Sequence, residues 1–228
     1  MKVLLARVSI ILLSLFLAMQ LFVFVCLLWW KHYPVNHSMF MREYLWSSDR
    51  LTTLQHQNVP YSDISVQVKR ALIAGEDAKF VYHHGFDWDG IRAALEKNDK
   101  KGHVVAGGST ISQQLAKNLF LSGERSYLRK GEEAIITWMM ERMWSKKHIL
   151  EVYLNVIQFG DGIYGVEAAS QYYYGKPASE INQSEAAKLA GLVPNPIYYE
   201  QYPHDRKMLR RVAVIRRYME YSAVPADS

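Results

Sequence analysis

The sequence predicts a mainly α-helical domain carried behind one membrane-crossing helix, and three observations predict it. Val8 to Trp30 is an uncharged run of 23 residues, interrupted only by Ser9, Ser14 and Gln20. Beyond it, apolar residues recur at helical spacing almost throughout. No clear period-two alternation of strand length appears in the same stretch.

The first element is the apolar run itself, which exceeds the roughly 20 residues a helix needs to cross a bilayer. A cleaved signal peptide would carry a shorter apolar core of about 7 to 15 residues and a small-residue cleavage site. Trp29-Trp30-Lys31-His32 has the character of an interfacial anchor instead. Lys2 and Arg7 flank one side of the run, Lys31 and Arg42 the other, so charge alone favours an inside N-terminus only slightly. Cys26 lies inside the span, so no disulfide framework exists.

The next element follows from Ile64, Val68, Ala71 and Leu72, an i, i+4, i+7, i+8 stripe that carries a buried helix to Gly75 and delivers Glu76 and Asp77 at its end. Asp87 is placed to cap a helix containing Ile91, Ala94 and Leu95. That helix is expected to fade into Glu96-Lys97-Asn98-Asp99-Lys100-Lys101-Gly102, which with Gly107 and Gly108 reads as a loop over the site or as an inert surface loop. From Ser109, Ile111, Leu115 and Leu119 form one helical face while Thr110, Gln113, Gln114 and Lys117 form another. Gly123 is placed to end this helix, and a long helix is expected from about Arg129 to Asn155. Pro177, Pro194 and Pro196 punctuate the last third before a basic amphipathic helix from Arg206 to Met219.

The net charge of +5 and pI near 9.1 suit nucleic acid, an anionic membrane surface or an anionic substrate. A membrane anchor argues against nucleic acid. Lys97, Lys100, Lys101, Arg125, Arg129, Lys130, Arg142, Lys146 and Lys147 lie mid-chain, where they either meet an anionic ligand or are simply solvated. Glu133 stands three and four positions beyond Lys130 and Arg129, so acid and bases share a helix face. Gly160-Asp161-Gly162-Ile163-Tyr164-Gly165 has the form of a dinucleotide fingerprint but follows a helix rather than a strand, and is read as a tight turn. His83-His84 has no metal-ligand companions, and a structural hydrogen bond from His83 is expected. Tyr172-Tyr173-Tyr174 is assigned to packing with a polar edge.

Two stretches carry the chemistry: Glu76-Asp77-x-x-Phe80-x-x-His83-x-Gly85, and Gly107-Gly108-Ser109-Thr110-Ile111-x-Gln113-Gln114-x-x-Lys117-Asn118. With Arg129-Lys130-Gly131-Glu132-Glu133-Ala134, Ile149-Leu150-Glu151-x-Tyr153-Leu154-Asn155 and Leu189-Ala190-Gly191-Leu192-Val193-Pro194-Asn195-Pro196, they resemble the ordered signature blocks of the family 51 peptidoglycan glycosyltransferases. Lys79 and Ser112 stand where that pattern often has Arg and Thr, and both keep the functional group. The Ser-x-x-Lys, Ser-x-Asn and Lys-Thr-Gly strings of the family's bifunctional, crosslinking relatives are absent, so the chain resembles the monofunctional members.

The resemblance implies a lysozyme-like fold, with residues 1–31 as cytoplasmic N-terminus and anchor, 32–59 as linker and 60–222 as the glycosyltransferase domain. It implies polymerisation of lipid II into β-1,4-linked strands with inversion and release of undecaprenyl diphosphate. It also implies a bacterial inner-membrane location, with the catalytic domain outside, and is compatible with protein partners in wall synthesis or division. Glu76 is then expected as general base, its reactivity raised by an apolar approach and by Asp77. Glu133 is expected as a second catalytic carboxylate or as the group that positions cations. Asp77, Phe80, Ser109, Gln113, Gln114, Lys117, Arg125 and Lys130 are expected around substrate, the cations meeting the diphosphate. No cofactor is required on this reading; Mg²⁺ or Mn²⁺ is compatible with a diphosphate, but no dedicated metal cage is visible.

Two rivals remain at this stage. A hydrolase would use two carboxylates, Glu76 and Glu133, across a glycosidic bond. A membrane-anchored glycan-binding scaffold would need no acids. Leu119, Phe120, Leu121, Tyr127 and Leu128 either form a membrane-dipping patch or pack in the core.

Overall fold

A computed structural model describes residues 2–47, 53–103, 107–124 and 126–226. The chain divides into two compact units, residues 1–34 and 35–228. The first unit is helix α1 (Lys2–Trp30), whose 29 residues are long and apolar enough to cross a membrane. At 1.5 Å per residue its length, about 43 Å, exceeds the hydrocarbon thickness of about 30 Å.

The second unit is helical apart from a small sheet. The segment expected as a linker holds α2 (Met39–Ser47) and β1 (Gln55–His56), and from Val35 it belongs to the larger unit. It is tied down by Asn58 Nδ2 donating to Val35 O (3.1 Å) and Val59 N donating to Asn155 Oδ1 (2.9 Å). An α2 of nine residues is too short for periodicity to reveal.

Helix α3 (Val66–Glu76) starts where Ser65 Oγ accepts from Gln67 N, and it buries Val68, Ala71, Leu72 and Ile73. These pack on α9 (Gln183–Leu192) and α11 (Arg206–Tyr218). Each fully buried aliphatic side chain stabilises the fold by up to about 1.5 to 3 kcal/mol. The acid pair therefore projects from a helix that is anchored along its length.

Asp87 caps α4 (Trp88–Lys101) as expected, accepting from Gly90 N at 3.0 Å. The helix does not fade at Glu96, however; it runs to Lys101 and ends on Gly102 in the left-handed region at φ 67°. Glu96 and Lys100 stand at the supportive i, i+4 spacing, and Glu and Lys are good helix formers, so a solvated run stays helical. Of the expected loop, residues 104–106 lie outside the described residues.

Helix α5 (Ile111–Phe120) opens with a reciprocal cap between Thr110 and Gln113, and packs on α6 (Tyr127–Met143) and α7 (Lys146–Val156). The single long helix expected from Arg129 to Asn155 is thus two. Trp144 is extended (φ −116°, ψ 147°) and Ser145 accepts from His148 N, restarting the helix. A serine capping the new helix outweighs continuous helical spacing here.

After α7 the GxGxxG segment forms β2 (Gln158–Gly160) and β3 (Ile163–Tyr164), antiparallel, with β1 parallel on the other edge of β3. Gly162 and Gly165 take φ of 75° and 81°, which makes the turn expected of this segment. Then come α8 (Val166–Tyr174), α9, α10 (Pro196–Gln201) and α11. Phe80, Tyr153 and Phe159 are among the largest fully buried side chains.

Candidate active site

Glu76 is the last residue of α3, and both of its oxygens are engaged. Gln114 Nε2 donates to Oε2 at 2.8 Å, and Arg211 Nη2, from α11, makes a short bond to Oε1. The same Arg211 nitrogen donates to Gly75 O at 2.7 Å, so one guanidinium ties the helix end and its acid together. Position 75 must stay small for this: a Cβ there would meet Ile215 Cδ1 at 3.0 Å and Arg211 Nη2 at 3.3 Å. Gln114 is oriented in turn by Tyr153, whose hydroxyl donates to Gln114 Oε1 at 2.9 Å. Burial, with Glu76's charge adding, pushes the Tyr153 phenol well up, so it stays protonated and remains a donor. The apolar surround expected for Glu76 is replaced by a guanidinium and a carboxamide.

Asp77 faces inward, its side chain 2% exposed. His83 Nε2 bonds both of its oxygens (2.9 and 3.0 Å), and Ile111 N donates to Oδ2 at 3.0 Å. It therefore clamps the first turn of α5 to the end of α3, and the expected structural bond from His83 is present. This is a positioning role, and Asp77 also lines the cleft beside Glu76. Phe80 is fully buried, its ring under Lys146 Nζ at 4.5 Å, and so is core rather than substrate-facing. Gln113 is buried and spends its carboxamide oxygen on Thr110 N, so it is a cap rather than a ligand contact.

On α6, Glu133 is buried and paired with Arg129 Nη1 at 2.9 Å and with Lys130 Nζ. Lys130 Nζ reaches Ser109 Oγ at 3.4 Å while its side chain remains 45% exposed. Glu133 thus holds two cations in place, which fits the cation-positioning alternative. Lys117 is half-buried, its Nζ 5.3 Å from the Phe40 ring. Arg125 lies outside the described residues.

Glu76, Lys79, Asp87, Gly107, Gly108 and Ser109 are among the residues lining one cleft of about 220 Å³. Glu76 and Ser109 both line it, and Lys130 Nζ, outside the lining, reaches Ser109 Oγ. Arg211, which holds Glu76, lies outside every motif block, and Tyr153 lies inside one without its bond to Gln114 being foreseen. The available signal was weak: Arg211 lies three residues after Met208 and four before Ile215, the buried side of α11. The apolar patch divides, with Leu119 and Leu121 buried and Tyr127 and Leu128 exposed at 98% and 89%. Lys97, Lys100 and Lys101 are solvated.

The transglycosylase family's sequence profile matches residues 46–220. A biosynthetic peptidoglycan transglycosylase of Acinetobacter baumannii (strain ACICU) is 54% identical over 225 residues, covering 99% of this chain and 100% of the relative. Proteins of the same description from Thiobacillus denitrificans (53% over 215 residues, 93% of each chain) and Methylobacillus flagellatus (52% over 209 residues, 90% and 91%) are similar throughout. With residues of the first two motif blocks lining one cleft and the profile spanning residues 46–220, the chain belongs to the transglycosylase family.

Proposed function

We propose that the protein is a peptidoglycan glycosyltransferase in which Glu76 acts as general base on the acceptor sugar. The observation that carries this reading is one cleft lined by an oriented carboxylate, Glu76, and by Ser109, whose hydroxyl Lys130 reaches. The 4-hydroxyl of the acceptor gives its proton to Glu76 as its oxygen attacks the anomeric carbon of the donor. The bond from that carbon to the diphosphate breaks with inversion, and its electron pair leaves on the diphosphate oxygen. A positioned base contributes roughly 100-fold to 10,000-fold to such a step.

The leaving group gains negative charge, which calls for cations rather than a second acid. Lys130, held by Glu133 and adjoining Ser109, supplies one, and the family resemblance implies Lys117 and Arg125 as others. A divalent cation carried by the diphosphate would add to them; among the described residues no cluster of three or more His, Cys, Asp or Glu side chains gathers to hold a resident ion. The hydrolytic reading loses its second carboxylate, since Glu133 is committed to Arg129 and Lys130.

The reading places the protein in the bacterial inner membrane with α1 as anchor, N-terminus inside and the larger unit outside, where a lipid-linked donor is displayed. Exposed Tyr127 and Leu128, at the start of the helix that carries Lys130, suit contact with the bilayer surface. The test is incubation of full-length protein in bilayers with lipid II, products being sized before and after muramidase digestion. Muramidase-sensitive polymer is expected from wild type. Lys130→Ala is expected to lower kcat about 100-fold, as loss of a group that meets developing charge does. Intact lipid II with wild type would overturn the proposal.

A further inference from the structure

Beside the cleft lies a second groove of about 670 Å³ whose walls include Tyr82, Phe86 and Trp88 together with Lys79, Asp87 and Asp89. Lys79 and Asp87 also line the Glu76 cleft, so the two adjoin across a shared wall. The size suits a ligand site, and a few polar groups among aromatics is the usual composition of one. Trp88 is 67% exposed and Tyr82 76%, an unusual amount of aromatic surface to leave in water at a cleft mouth.

Phe86 and Trp88 hold each other in place. Phe86 stacks on Trp88 with ring centroids 5.4 Å apart and planes 24° apart. Trp88 is the first residue of α4, set by the Asp87 cap immediately before it. Lys79 Nζ stands 3.5 Å from Asp89 and 3.9 Å from Asp87, so the groove's cation is already matched and one carboxylate is in excess. That balance repels a diphosphate, which belongs with the cations of α5 and α6. Aromatic faces edged by carboxylates instead recognise a pyranose ring, whose C–H face stacks while its hydroxyls donate.

We propose that this groove is a saccharide subsite holding a neutral sugar ring of the glycan strand beyond the pair of sugars being joined at Glu76. The inference deepens the transferase reading and rests on it. Its function is to retain the strand between successive additions, with Trp88 as the stacking platform.

The test uses full-length protein in detergent and the β-1,4-linked N-acetylglucosamine hexamer as probe, with affinity measured by calorimetry for wild type, Trp88→Ala, Trp88→Phe and Trp138→Ala. Trp88→Ala is expected to weaken binding about tenfold, the loss of one stacked face, with Trp88→Phe largely restoring it. Trp138→Ala removes another exposed tryptophan on α6 and is expected to bind as wild type. On lipid II, Trp88→Ala is expected to give shorter strands than wild type. Hexamer binding that is absent in wild type, or unchanged in a normally folded Trp88→Ala, overturns the subsite even where wild type polymerises lipid II. Trp88-dependent binding by a protein that fails to polymerise supports the subsite while the transferase reading falls.

Discussion

Glu76 is oriented before any substrate arrives, with Arg211 on one oxygen and Gln114 on the other. A base so held needs little reorganisation when a hydroxyl approaches, and its loss of orientation is costly. Arg211→Ala is expected to lower kcat on lipid II about 10-fold to 100-fold with little change in KM, because the acid remains but is no longer aimed. Arg211→Lys is expected to recover part of this, since a lysine offers charge without the planar fork that reaches Gly75 O and Glu76 together. Steady-state kinetics at saturating lipid II decide it; an unchanged kcat in Arg211→Ala removes Arg211 from the account. Tyr153→Phe is expected to cost less, about 2-fold to 10-fold, the worth of one neutral hydrogen bond. Glu76, Gln114 and Lys130 were legible in the sequence because their motifs carry them. Arg211 was not, because it is 135 positions from Glu76 and its helix reads simply as a basic amphipathic surface.

Between elements, the contact that makes the site is Asp77, which joins the end of α3 to the start of α5 and thereby brings Glu76 within reach of Gln114. Asp77→Ala strands the His83 ring nitrogen and the Ile111 amide, and is expected to destabilise by about 2 to 4 kcal/mol. Urea denaturation of full-length protein in detergent measures this, and a loss under about 0.5 kcal/mol would contradict the clamp. Helix caps were the readable part of this level: Asp87 and the Thr110–Gln113 pair act where polar residues precede apolar stripes. The break at Trp144-Ser145 was not readable, since Lys146 to Asn155 continues a plausible helical spacing and only the cap chosen by Ser145 separates α6 from α7. The sheet escaped for a different reason. Strands of two or three residues are too short to show alternation, and β1 pairs with β3 from a segment about 100 residues away.

Across the larger unit, β1 connects the N-terminal segment to the end of α7 through His56, whose Nε2 lies 3.0 Å from Asn155 O. Burial lowers the His56 pKa below its ordinary value; the bond to Asn155 opposes this and nearby His37 adds to it. The folded state therefore binds fewer protons than the unfolded chain between the folded pKa and about 6.5. His56 thus contributes stability that is full above about pH 6.5 and is lost as pH falls from there to the folded value. Melting temperature measured from pH 8 to pH 5 is expected to fall, with His56→Gln flattening the profile; an identical slope in the variant would contradict this. The overall class, a helical body behind an apolar anchor, followed from periodicity and one uncharged run. The close approach of α11 to the end of α3, which completes the site, is set by packing that no local pattern encodes. The most direct test of the central claim is lipid II turnover in bilayers by wild type beside Glu76→Gln. Polymer from wild type and a rate lower by about 100-fold to 10,000-fold in the variant, with lipid II still bound, is the predicted result. Glu76→Gln polymerising at the wild-type rate would contradict it.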